Sequence, residues 1–205
     1  MILLKKMRSR IIFVFVLVLF LISRIYKIAE IPASVYWDEA SIGYNAYSIA
    51  TDLKDEWGEK LPLHFRAFGE FKLPVYIYTV AIFVKAIGLN EYAVRLPAVF
   101  YSLGTLIIVY LLTKKITCKK WVAILASFIF CVSPWFYIFS RTGYEATAGV
   151  FFYLLAIYLL MHGLKKKLLR RQTRHFPGRY IFGKLMIQRE IISLFVQPVQ
   201  ELLQQ

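Results

Sequence analysis

Five stretches of the chain are apolar enough to seek a bilayer, and the polar residues fall between them rather than on alternating faces. The runs are Ile11 to Ile25, Leu73 to Leu89, Leu96 to Leu112, Trp121 to Phe139 and Thr147 to Leu164. Each approaches the ~20 residues that cross a hydrocarbon core, Leu73 to Leu89 being the shortest and containing Lys85. A second pattern lies in the polar stretch after the first run. From Asp38 onward, DEASIGYNAYSIATDL carries Ile42, Ala46, Ile49 and Leu53 near helical spacing behind an acidic start. This predicts an amphipathic helix lying in the interface, ended by Trp57-Gly58 and Leu61-Pro62. The next helix opens at Phe71-Lys72-Leu73-Pro74, proline being tolerated in a first turn.

The bases decide how many runs cross. Lys5, Lys6, Arg8 and Arg10 precede the first run, and Arg24 and Lys27 close it without a small-x-small cleavage site, so an uncleaved anchor with a cytoplasmic N-terminus is expected. Lys114, Lys115, Lys119 and Lys120 form one basic loop, and Lys165, Lys166, Lys167, Arg170 and Arg171 another. If Leu73 to Leu89 lies along or dips into the outer surface, four spans remain and every basic cluster faces the cytoplasm. If it crosses, there are five and one cluster faces outward. The expected fold is thus an all-α polytopic membrane bundle of four to five spans, with interfacial helices in a long first outer loop from Glu30 to Arg95. Tyr36, Trp37, Tyr44, Tyr47, Trp57, Phe65, Phe68 and Phe71 suit the headgroup zone there.

Composition agrees with a membrane protein: 59% of residues are hydrophobic, 17% aromatic, and the mean hydropathy is +0.58. The net charge of +14 would suit nucleic acid, but its bases sit in short clusters between apolar runs, so no nucleic-acid partner is expected. Cys118 and Cys131 are too few and too poorly placed for a disulfide framework or a metal site. His64 has no second candidate ligand nearby, and no metal site is derived. After Leu168 the chain turns rich in Arg and Gln, with Pro177-Gly178 marking a turn and Ile181 to Val196 reading as an amphipathic cytoplasmic helix. Two parts are therefore expected, a membrane module over 1–167 and a basic tail over 168–205.

Negative charge is confined: all acids except Glu145, Glu190 and Glu201 lie between Glu30 and Glu91. Asp38-Glu39 after the first span, Lys72 and Pro74 opening an aromatic-rich helix (Tyr76, Tyr78), and Arg95-Leu96-Pro97 opening a span together resemble the N-terminal part of polyprenyl-phosphate-dependent glycosyltransferases. These are the multi-span enzymes of the GT-C fold, including protein O-mannosyltransferases and the aminoarabinose transferases acting on lipid A. The resemblance covers about Ile11 to Leu164.

What the resemblance implies can be stated residue by residue. Asp38 corresponds to the outer-loop aspartate that accepts the proton of the attacking hydroxyl, and Glu39 to the acid beside it. Lys72, where relatives carry a basic residue or histidine, is expected to hold the donor's phosphate; the chain has Leu73-Pro74 where many relatives have Pro-Pro. Arg95 is expected to support the acidic loop or contact phosphate. Tyr44 joins the substrate-binding candidates. So do Arg141 and Glu145, from the stretch Ser140-Arg141-Thr142-Gly143-Tyr144-Glu145 that resembles the second outer loop. The partners implied are a polyprenyl-phosphate-linked sugar, a hydroxyl acceptor on protein, lipid or glycan, and membrane lipid. No cofactor is required, although a divalent cation near Asp38 and Glu39 would be chemically reasonable.

Elementary chemistry supports the same roles. Leaving phosphate gathers negative charge and needs preorganised cations, and the acceptor hydroxyl needs a carboxylate within hydrogen-bond reach, which gives inverting displacement at the sugar. The bland alternatives are helix capping by Asp38 and Glu39, snorkelling by Lys72 and Arg95, and an i,i+4 pair of Arg141 with Glu145. Four spans offer few walls for a lipid-sugar cavity, so a longer chain or a completing subunit is expected for activity. Two rival functions remain: a non-catalytic membrane subunit or scaffold, and a transporter or flippase fragment whose Arg24, Lys85 and Glu145 line a path. The compartment expected is the plasma membrane of a prokaryote, with the acidic loop extracytoplasmic.

Overall fold

The computed structural model describes residues 2–67 and 69–175, with side chains over 7–67 and 69–164. Its helices are α1 (Ile2–Ile25), α2 (Trp37–Asp52), α3 (Pro74–Ile87), α4 (Glu91–Thr117), α5 (Lys120–Val132), α6 (Pro134–Phe139) and α7 (Ala146–His175). Two three-residue strands, β1 (Phe65–Ala67) and β2 (Glu70–Lys72), pair antiparallel with Phe65 opposite Lys72. The protein is an all-α membrane bundle to which this hairpin is a small addition. The expected helix over Ile181 to Val196, like the rest of the tail beyond 175, lies outside the described residues.

The side chains face outward as lipid solvation requires. Ile11, Phe15, Ile22, Phe100, Leu125 and Tyr153 are all exposed on the helices, a distribution that water would penalise and hydrocarbon does not. α4 and residues 146–164 of α7 are each long and apolar enough to cross a bilayer. Two hydroxyls within the apolar helices return to their own helices: Thr105 donates to the Tyr101 carbonyl and Ser127 to that of Ala123.

α4 is the central post. Its first turns join α2, β1 and α3 in a cluster of Ile42, Ile49, Phe65, Ile77, Val80 and Ala98. Its middle packs on α1 and α5 through Val16, Phe20, Val99, Leu106 and Phe130. Its far half packs on α7 through Ile108, Leu112 and Met161. Gly104 admits the Phe151 ring of α7, since a Cβ there would stand 2.5 Å from Cε2.

Local chemistry sets the element ends, and it corrects the sequence expectations in four places. The run Trp121 to Phe139 is broken at Ser133, whose extended backbone (ψ 124°) precedes Pro134 at the start of α6. α2 stops earlier than expected, at Asp52, because Leu53 takes a left-handed conformation and caps the helix by donating to the Ile49 carbonyl. Leu53 is accordingly exposed, whereas Ile42, Ala46 and Ile49 are buried against α3 and α4. Phe65, expected among headgroups, is fully buried with its ring edge-on to Tyr78.

α3, at 14 residues, is shorter than the ~20 that cross a hydrocarbon core, and both its flanks meet α2. Lys72, just before it, meets Asp38 at the start of α2, while Leu89, just after it, lies against Gly43 of the same helix. In between, Tyr76 donates to the Val94 carbonyl and Thr79 shares a hydrogen bond with Tyr101, so α3 crosses the first turns of α4 rather than running along it.

Candidate active site

Four chain segments converge at one end of the bundle: the exit from α1, the start of α2, the start of α4 and the α6–α7 connection. At their centre is Glu39, buried, with both oxygens occupied. Arg95 grips it with Nε on Oε1 at 2.9 Å and Nη2 on Oε2 at 3.0 Å. Gly143 N–H donates to Oε1 at 2.7 Å, and Tyr36 N–H to Oε2 at 3.1 Å. The last bond is the reach of an N3 glutamate back to the helix start, which explains why an acid stands third in α2. Arg95 also donates to the carbonyls of Ile28, Ala29, Pro32 and Ser34. Charge, planarity and five donors make arginine the side chain that can do both.

Asp38 points the other way. Its Oδ1 accepts a short hydrogen bond from Lys72 Nζ, and its side chain keeps 15% of its surface exposed against 3% for Glu39. That difference separates an acid available to a ligand from one enclosed by protein. Lys72 is buried and also donates to Glu70 at 3.1 Å. Residues 70 and 72 share a face of β2 because strand side chains alternate, so the hairpin delivers Glu70 to Lys72. Burial alone would lower the Lys72 pKa, but hydrogen bonds to Asp38 and Glu70 outweigh it and hold the ammonium above the ordinary 10.5.

Glu145 completes the cluster from the α6–α7 connection. Burial raises its carboxyl above the ordinary 4.5; Lys72 opposes this, Glu70 and Asp38 add to it, and a hydrogen bond with the Leu73 backbone opposes it. Among the described residues its Oε2 is a buried oxygen with no hydrogen-bond partner. Such an atom costs ~1–3 kcal/mol when left unpaired, so it is a natural place for a ligand's donor. Beside it, Tyr144 and Thr147 help line an apolar pocket of about 270 Å³, together with Ser102, Thr105, Phe136 and Phe139.

The remaining candidates lie elsewhere. Arg141, expected on substrate and alternatively on Glu145, directs its guanidinium instead to five carbonyls at the exit of α1: Ser23, Arg24, Tyr26, Lys27 and Ile31. Tyr44 is exposed on α2. Arg24 is buried, donating to Ser140 Oγ and to the Cys131 carbonyl where α5 breaks off, while Lys85 is exposed near the end of α3. Glu39 offers no vacant oxygen to a cation, and among the described residues no group of three His, Cys, Asp or Glu side chains is arranged to hold a metal. Sequence reasoning missed Glu70, whose signal was its i,i+2 spacing to Lys72. It also missed Gly143, whose amide rather than any side chain does the work.

A buried arginine-clamped acid, a partly exposed acid on a lysine and an apolar pocket beside them meet at one end of a membrane helical bundle. The chain belongs to the dolichyl-phosphate-mannose-protein mannosyltransferase family, whose pattern it matches over residues 14–176. It is also similar to "Putative mannosyltransferase YkcB" of Bacillus subtilis (strain 168), with 31% identity over 122 residues. That match covers 59% of this chain and 17% of the relative, so the chain spans a small part of that protein's length. No solved structure matches.

Proposed function

We propose that the chain is the acid-bearing module of a membrane mannosyltransferase that moves a sugar from a polyprenyl-phosphate donor to a hydroxyl on protein, lipid or glycan. Asp38 is the base. It takes the hydroxyl proton as the acceptor oxygen attacks the anomeric carbon from the face opposite the phosphate. The sugar–phosphate bond breaks with its electron pair on the phosphate, and the sugar inverts. Lys72 orients Asp38 and faces the charge of the departing phosphate, Glu145 Oε2 accepts from a substrate hydroxyl, and the apolar pocket beside Tyr144 takes part of the lipid. The observation that carries this reading is the asymmetry of the acid pair: Glu39 is closed by four hydrogen bonds, whereas Asp38 keeps an open side against a buried lysine.

The reading also has the converged loops extracytoplasmic in a prokaryotic plasma membrane, with the N-terminus inside. Supporting it, Lys114 and Lys115 lie at the end of α4 remote from Arg95, ~29 Å along the helix at 1.5 Å per residue.

The test is transfer of labelled mannose in membranes expressing the chain, alone and with a longer relative that can complete the cavity. Polyprenyl-phosphate mannose should serve as donor where nucleotide-linked mannose does not. Asp38→Asn should lower the rate by ~10²–10⁴. Transfer undiminished by Asp38→Asn would remove the assigned base.

A further inference from the structure

Arg141 and Gly143 lie two residues apart and grip two different elements. The Arg141 guanidinium takes the carbonyls of Ser23 and Arg24, which α1 leaves without helical partners at its end, together with those of Tyr26, Lys27 and Ile31. Arg95 takes the carbonyls of Ile28, Ala29, Pro32 and Ser34 from the same α1–α2 connection. The two arginines therefore interleave on one stretch of backbone. Arg95 then clamps Glu39, and Glu39 accepts from Gly143 N–H at 2.7 Å, which returns the circuit to Arg141. Gly143 is required for space rather than for backbone freedom. A Cβ there would stand 2.5 Å from Val94 Cγ1 and 3.1 Å from the Val94 carbonyl, so the amide reaches Glu39 only because nothing projects from residue 143.

We infer that the Arg141–Gly143 turn is a positioning brace, closing a hydrogen-bonded circuit that fixes Glu39 and thereby sets the first turn of α2, with Asp38, against Lys72. The consequence for transfer rests on the reading of Asp38 as the base; the brace itself does not. Lysine at 141 cannot reproduce the circuit, because a single ammonium lacks the planar fork that reaches five carbonyls at once. The role differs from substrate binding in that every effect passes through the geometry of residues 36–40.

The experiment is hydrogen exchange on the full chain in lipid nanodiscs, with Gly143→Ala, Arg141→Lys, the pair Val94→Ala with Gly143→Ala, and Gly149→Ala as a control where an added Cβ meets nothing within 4 Å. Gly143→Ala and Arg141→Lys should speed exchange in the first turn of α2 by about tenfold or more, leaving the middle of α4 unchanged. Removing the Val94 methyls should restore most of the protection lost by Gly143→Ala, and Gly149→Ala should match the wild type. In the transfer assay the two brace variants should lower kcat by about tenfold with donor KM within about twofold of wild type. Unchanged exchange at residues 36–40, or exchange rising equally through α3, α4 and α7, would overturn the brace. A wild type with no transfer would sink the function proposed above while the exchange result still decided this one.

Discussion

Glu39 and Asp38 are adjacent carboxylates with opposite fates, and the difference can be tested by substitution. Glu39→Ala would leave the buried Arg95 guanidinium without its counter-charge. The expected loss is ~3–5 kcal/mol of stability, read as a lower thermal midpoint in nanodiscs. A midpoint equal to wild type would mean that Arg95 is satisfied by the connection carbonyls alone. Glu145 makes a pH prediction. Its pKa is raised in the folded state, so its contribution to stability is present below 4.5 and is lost as pH rises through the folded value. The always-neutral Glu145→Gln should therefore melt above wild type at neutral and alkaline pH, the advantage vanishing in acid. An advantage independent of pH would place its origin elsewhere. Lys72 has the same sign on the basic side: its stabilisation is present below 10.5 and fades only as pH climbs through its raised value. Asp38, Lys72 and Arg95 were legible as candidates because the acids are confined to one stretch and the family resemblance points to these positions. Their division of labour was not, because it depends on which oxygen meets which donor.

At the scale of elements, proline and glycine account for most of the departures from simple periodicity. Pro134 divides a run that hydropathy reads as one span, and Arg24 then takes the Cys131 carbonyl at the break. The β hairpin escaped sequence reading because each strand is three residues long, too short for alternation to register among aromatic loop residues. Its turn uses Gly69 at φ +85°. Between α4 and α7 the contact hinges on Gly104. Its added Cβ would strike a Phe151 ring already packed on Tyr101 and Phe152, so Gly104→Ala should cost ~1–3 kcal/mol. Gly149→Ala, facing open space, should not. Chemical or thermal unfolding of the two variants side by side checks this, and equal midpoints would show that the ring moves aside freely.

For the whole molecule the testable quantity is orientation. With the converged loops outside, the exposed Cys118 within the first basic loop should react with a membrane-impermeant maleimide only after the cells are opened. A cysteine replacing the exposed Trp57 should react in intact cells. The reverse pattern would invert the proposed topology. By itself the sequence determined the membrane class, the positions of the apolar runs, the amphipathic helix that begins at Asp38 and the family resemblance, because these rest on hydropathy, charge placement and short motifs that are local along the chain. Tertiary structure alone decided that α3 lies across α4, that Glu39 is enclosed while Asp38 is open, and that Arg141 binds the end of α1 rather than Glu145. Those outcomes join residues as far apart as Ser23 and Arg141, or Glu39 and Gly143. Hydrogen-bond satisfaction in a buried site is settled by whichever donors and acceptors folding brings together, and no local pattern encodes that.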